Sequence, residues 1–209
     1  MAIEHRARFA LSIAFAASIG VYRNLHPDIP PYLYFGGEYV AVGRPFVAFT
    51  LPVTAIAIWW LFASLSRQPS PAARRSRRVG AATALFLSAF HVTTLVAFVA
   101  EQLWLTRVLG VMVGAFLIAT GNDLPRLRPN LVWGIRTPQT LRSRVVWKRV
   151  HRLGGYIRVA MGLLVCGAAV AGIRGFHQLI VGAVCVEVIV CVAAGFVYSR
   201  ERRALLRVV

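Results

Sequence analysis

The chain has 209 residues, 58% of them apolar, and its mean hydropathy is +0.66. Soluble domains hold about 45–50% apolar residues, so an ordinary water-soluble globular fold is excluded. The formal charge of +17, from 24 basic and 7 acidic residues, would suggest nucleic acid in a soluble protein. Here the basic residues cluster in the connectors between apolar blocks, so direct nucleic-acid binding is not expected.

Six apolar blocks follow in chain order: about 8–22, 46–65, 79–99, 104–120, 155–173 and 176–198. Crossing a hydrocarbon core of about 30 Å takes roughly 20 residues. The expected fold is all-α, a polytopic membrane helix bundle of about six transmembrane helices. The connectors alternate in charge. The head carries Arg6 and Arg8, and residues 66–78 carry five arginines. Residues 121–153 carry seven arginines and Lys148, and the tail after 198 carries four arginines. The intervening connectors hold only Arg23, Arg44, Arg107 and Arg174. The positive-inside rule then places both termini in the cytoplasm. The chain reads as a single integral membrane domain: an N-terminal helix pair (1–78) with an outer loop (23–45), then a four-helix region (79–209) with a cytoplasmic platform (121–153).

The first block also fits a secretory signal, with "AFAAS" at 14–18 as its small-residue end. Because the apolar run continues to Tyr22, a retained helix is the expectation. Cleavage would leave the other five spans in the same orientation. Outside the cell-facing blocks, 23–45 sets Tyr32, Tyr34, Phe35 and Tyr39 around Pro30-Pro31 and Gly36-Gly37. This is either an aromatic belt at the interface or a recognition surface for a peptide.

Residues 121–140 read GNDLPRLRPNLVWGIRTPQT. Pro125, Pro129 and Pro138 break any continuous helix, and Gly121-Asn122 ends the fourth span. Thr137-Pro138 is a helix start, so 121–136 is expected as a structured turn and 138–153 as a helix. On a wheel Val146, Trp147, Val150 and Leu153 share an arc opposite Arg144, Lys148 and Arg152. That predicts a basic amphipathic helix lying in the interface, with Trp147 at headgroup depth. Such helices also serve merely as anchors.

Within the blocks, Glu187 and His91 are ionisable groups near span centres, where charge is expensive and marks function. If their helices touch, the two form a pair or a proton relay; otherwise each makes a buried structural hydrogen bond. Arg158 is expected to snorkel to headgroups. Gly110 and Gly114 form a GxxxG, which signals close helix packing. Cys166, Cys185 and Cys191 show no disulfide or metal spacing. No HExxH, GxSxG or phosphate-binding glycine loop is present, so neither an enzyme, a cofactor nor a metal site is expected.

The run from Gly121 to Gly155 resembles the SdpI-like family of bacterial membrane proteins, whose motif has the form GN-x-LP-x-x-RPN, GIRTPWTL and VW-x-x-(T)HR. The matching positions include Gly121, Asn122, Pro125, Arg128, Pro129, Asn130, Gly134, Arg136, Thr137, Pro138, Trp147, His151 and Arg152. More weakly, 26–43 resembles the outer loop of a domain of unknown function that often precedes this region, at Pro27, Ile29, Pro30, Gly37, Glu38 and Gly43. Tyr32 stands at that loop's usual histidine. Two departures stand out: Gln139 replaces the motif tryptophan, and Arg142, Ser143 and Arg144 replace the acids that follow it.

The resemblance implies a multi-pass protein of the bacterial inner membrane that confers immunity to a secreted, membrane-active toxin, or senses envelope stress. A peptide toxin would meet the outer loop at Pro30, Tyr32, Tyr34, Gly37 and Glu38. A cytoplasmic repressor or an anionic lipid would meet the platform through Arg128, Arg136, Lys148 and Arg152. The alternatives are a small transporter or permease component, which needs a polar path beginning at His91 and Glu187, and an accessory subunit of a larger membrane complex.

Overall fold

The computed structural model describes the backbone of residues 2–25, 28–29, 34–35, 38–39, 42–65, 71–100, 104–130, 133–173 and 176–205. Among the described residues seven α-helices dominate: α1 (Ala2–Val21), α2 (Arg44–Leu65), α3 (Pro71–Ala100), α4 (Trp104–Asp123), α5 (Pro138–Arg142), α6 (Arg144–Val170) and α7 (Phe176–Leu205). The all-α polytopic architecture expected from the hydropathy is the one observed. α2, α3, α4, α6 and α7 each contain a stretch long and apolar enough to cross a bilayer. α1 has 20 residues, but Glu4, Arg6 and Arg8 occupy its first two turns and confine its apolar part to the remainder. In the outer loop, two-residue strands make two antiparallel ladders. β1 (Asp28–Ile29) pairs with β4 (Val42–Gly43), and β2 (Tyr34–Phe35) with β3 (Glu38–Tyr39). Pro30, Tyr32 and Gly37 lie outside the described residues; Tyr34 and Glu38 are defined in backbone only.

The chain divides into two compact units, Met1–Thr106 and Arg107–Val209. The sequence division at 78/79 follows family resemblance. Packing is a different criterion, and it groups α3 with α1 and α2.

The first unit is built on small residues at heptad-like spacing. Ala7, Leu11, Ala14 and Ser18 on α1, and Ala81, Ala84, Ser88, His91 and Leu95 on α3, are all buried. Spacings of three and four keep these residues on one stripe of each helix. Ala48, Pro52, Ala55 and Phe62 supply the buried stripe of α2. Their neighbours on the opposite faces, such as Phe9, Ile13, Val53 and Trp60, are exposed and apolar. Large apolar residues outward and small ones inward is the pattern of helices whose solvent is lipid.

In the second unit α4 and α6 approach through two glycine pairs. A Cβ on Gly162 would stand 2.7 Å from the Gly114 carbonyl oxygen, and one on Gly155 would stand 2.7 Å from that of Gly121. Both pairs are seven residues apart on their own helix and run in opposite order, as an antiparallel crossing requires. The GxxxG glycine Gly114 therefore serves packing within the chain. α6 ends in a Schellman turn. Gly172 takes φ 70°, its amide donates to Ala169, and the Ile173 amide donates to Ala168; glycine adopts that conformation without strain.

These contacts predict that Gly162→Leu overpacks the α4–α6 crossing and destabilises the protein by roughly 1–3 kcal/mol. Gly167→Leu, where a Cβ meets nothing within 4 Å, leaves stability close to wild type. Thermal unfolding of the two variants in the same detergent checks the contrast.

Candidate functional site

The segment after α4 folds into a compact plug against α6 and α7. α4 passes into a 3-10 turn, Leu124–Arg126, with Pro125 at a position where no amide is needed. The Leu127 amide closes the turn on the Leu124 carbonyl at 3.1 Å. Leu124 and Leu127 pack with the buried Trp147, and Trp133 covers the cluster. Trp147 Nε1 donates to the Leu127 carbonyl at 2.9 Å. Asn130 organises the next turn: its Nδ2 donates to the Arg128 carbonyl, and its Oδ1 accepts from the Trp133 amide at 2.7 Å.

Gly134 then adopts φ 115°, a backbone region that disfavours every other residue. A Cβ there would collide with His151 Nε2 and approach Trp147. The backbone can therefore pass close over the two rings, and the Ile135 amide donates to His151 Nε2 at 3.0 Å. Because Nε2 accepts, the imidazole proton sits on Nδ1, which donates to the Trp147 carbonyl at 2.8 Å. The His151 and Trp147 rings stack 3.9 Å apart at 19°. Ile135 drives its side chain toward Gly154, where a Cβ would stand 2.7 Å from Ile135 Cδ1. It packs on the Val146, Val150 and Cys191 cluster between α6 and α7.

Thr137 caps α5 through a reciprocal pair. The Thr140 amide donates to Thr137 Oγ1 at 3.3 Å and the Thr137 amide to Thr140 Oγ1 at 2.9 Å. The Thr140 hydroxyl donates to the Ile135 carbonyl at 2.9 Å. Thr140 is fully buried. Ser143 ends α5 and starts α6, its Oγ accepting from the Val146 amide.

Two expectations are corrected here. No separate amphipathic helix spans 138–153. A five-residue helix breaks at Ser143, and α6 then runs unbroken from Arg144 through the apolar span to Val170, because Gly154 and Gly155 face close-packed neighbours and do not interrupt the helix. Nor does Trp147 offer its ring to lipid headgroups. It is 1% exposed, with its indole N–H satisfied inside the plug. The wheel placed Val146, Trp147 and Val150 on one face correctly, but the plug covers that face.

The intramembrane polar residues find partners other than those proposed from the sequence. Glu187 on α7 forms a two-point ion pair with Arg158 on α6: Arg158 Nε donates to Oε2 at 2.8 Å, and Nη2 meets Oε1. Arg158 therefore does not snorkel. It lies seven residues after His151, two helical turns along the same inward face, and that spacing was the readable signal. His91 belongs to the first unit, where its Nε2 meets Ser18 Oγ at 2.8 Å while Ser18 donates to the Ala14 carbonyl. His91 and Glu187 thus each bond within their own unit, His91 through Nε2 alone, its buried Nδ1 having no partner. Reading from the sequence also missed Thr140 and Ser143 as organising residues, although T-P-x-T is legible as a reciprocal cap.

The remaining motif residues form a rim. Asn122, Arg128, Pro129, Arg136, Pro138 and Arg152 are exposed. Gly121 and Pro125 face Gly155 instead.

Residues 126–199, from the plug through the Arg158–Glu187 pair, match the SdpI/YfhL protein family. Over that segment the chain is similar to this family. The chain is 25% identical over 154 residues to the Immunity protein SdpI of Bacillus subtilis (strain 168), an alignment that covers 73% of this chain and 74% of that protein. No solved structure matches. The SdpI-like match takes in every interlocked group of the plug from Arg126 onward, while Gly121, which seats the turn against α6, lies just before it.

Two sets of variants test this geometry. Trp147→Phe keeps a ring to stack but loses one buried hydrogen bond, at about 1 kcal/mol. His151→Ala leaves the Ile135 amide unpartnered and opens a void, at roughly 2–4 kcal/mol. For the ion pair, Arg158→Met or Glu187→Leu alone strands one charge and costs roughly 3–5 kcal/mol, whereas the double variant costs clearly less. Unfolding in detergent reads all five.

Proposed function

We propose that this multi-pass membrane protein confers immunity to a secreted, membrane-active toxin, or senses the envelope stress such a toxin causes, from the bacterial inner membrane. The observation that carries the reading is the coincidence of two things. The chain is similar to an immunity protein over most of its length, and the segment matched to the family holds the plug, an irregular backbone fixed at Leu127, Gly134, Ile135 and Thr140. A passive connector has no need of such rigidity. The charge asymmetry of the connectors supports a cytoplasmic plug and cytoplasmic termini.

In this reading the toxin meets the outer loop, with Pro30, Tyr32, Tyr34, Gly37 and Glu38 as recognition residues. The paired backbone at Tyr34–Phe35 and Glu38–Tyr39 supports a formed hairpin there. Arg128 and Arg136, exposed on the plug, present positive charge to an acidic cytoplasmic partner such as a repressor. Within the second unit the Arg158–Glu187 pair ties α6 to α7 beneath the plug.

The test is survival. Cells lacking the gene are challenged with peptides from their own culture supernatant and complemented with wild type, with Tyr32→Ala/Tyr34→Ala, or with Arg136→Ala. The expected outcome is sensitivity on deletion and rescue by wild type. The tyrosine variant loses protection, and the arginine variant loses the transcriptional response while the protein stays in the membrane. Deletion cells as resistant as wild type to every supernatant fraction would overturn the reading.

A further inference from the structure

α6 and α7 leave a groove of about 700 Å³ between them at the basic end of α6. Arg144, Lys148 and Arg152 line it at a spacing of four, together with Leu153, Tyr156 and Tyr198. The three cations are spread over about 12 Å of helix. All three are exposed, and no carboxylate partner faces them among the described residues. Their neighbour Arg149 differs: it pairs with Glu201 at 3.0 Å and lies over the Tyr198 ring at 5.5 Å. The groove thus keeps one arginine neutralised and three cations open.

The walls change character along the helix. Arg144 and Lys148 stand at its start, whereas Leu153 and Tyr156 lie where the same unbroken helix becomes the apolar span. Tyr156 is 67% exposed, its ring offered along the groove. A ligand that suits this gradient is anionic at one end and apolar at the other. An acidic peptide would satisfy the cations but not the walls that continue into the span. Three open cations over that length exceed what one phosphate monoanion neutralises, and two phosphates match them better.

We propose that the α6–α7 groove is a binding site for an anionic phospholipid bearing two phosphates. Arg144, Lys148 and Arg152 hold the phosphates, Tyr156 and Leu153 line the first part of the acyl chains, and Arg149–Glu201 fixes the far wall. The site needs only that α6 enters the bilayer with its basic end at the interface. It stands whether or not the immunity reading holds.

The experiment uses the full-length protein, delipidated in a neutral detergent. Tetraoleoyl cardiolipin, dioleoyl phosphatidylglycerol, dioleoyl phosphatidylcholine, inorganic pyrophosphate and poly-glutamate are each titrated, with binding read by native mass spectrometry and by thermal stabilisation. Cardiolipin is expected to bind tightest, phosphatidylglycerol more weakly, and phosphatidylcholine not measurably. Lys148→Gln/Arg152→Gln should weaken cardiolipin binding roughly 30-fold, and Arg136→Gln, outside the groove, should leave it unchanged. All of these side chains are exposed, so the fold is not at stake, and unliganded melting curves that superimpose confirm it. Equal retention of cardiolipin and phosphatidylcholine would overturn the proposal, as would unchanged binding by the double variant. Saturation by pyrophosphate or poly-glutamate in place of lipid would assign the cations to a soluble anion and overturn it equally.

Discussion

The plug depends on one hydrogen bond between a loop and a helix, from the Ile135 amide to His151 Nε2. An irregular backbone packed against a helix must find partners within the protein for the amides and carbonyls it buries, since water does not reach them. His151 supplies one by turning its acceptor nitrogen to the loop while its other nitrogen is occupied by the Trp147 carbonyl. Trp147 then supplies a second by donating to Leu127. Two residues four apart on one helix, stacked ring on ring, thereby bind both arms of the segment. Gly134 is the geometric condition for this, because any side chain there would occupy the space of the imidazole.

The same helix carries the other constraints of the second unit. Its inward face runs from Trp147 and His151 through Gly154, Gly155 and Arg158 to Gly162, in steps of three and four. Each step meets a different neighbour: the plug, Ile135, the turn at Gly121 and Pro125, Glu187, and Gly114. The glycines let backbones approach where no hydrophobic force drives helices together. The ion pair does different work. Both of its charges are largely removed from water, and their two-point geometry is what makes that tolerable. A helix so occupied on one side has only its outer face left for recognition, and that face holds the open cations.

Much of this was legible in the residues. The apolar blocks and their charge alternation follow from composition alone, because the bilayer sets a length and the membrane potential and translocation machinery set a sign. The segment 121–153 declared itself through its prolines, its glycines and the Thr137-Pro138 start. Its motif alone resembles that of the SdpI-like family. Period alone also placed Val146, Trp147 and Val150 on one face. It could not tell whether that face meets lipid or protein, since an apolar stripe suits both.

What the sequence determined by itself, then, was what local or one-dimensional rules govern: the apolar blocks, the charge alternation of their connectors, the Thr137 cap and the proline breaks. Only the tertiary structure decided which partner each buried polar group takes. Arg158 chose Glu187, His91 chose Ser18, and Trp147 turned inward to Leu127. The reason is physical. A buried donor or acceptor must be satisfied, but its partner is fixed by the three-dimensional packing of helices whose residues lie tens of positions apart in the chain.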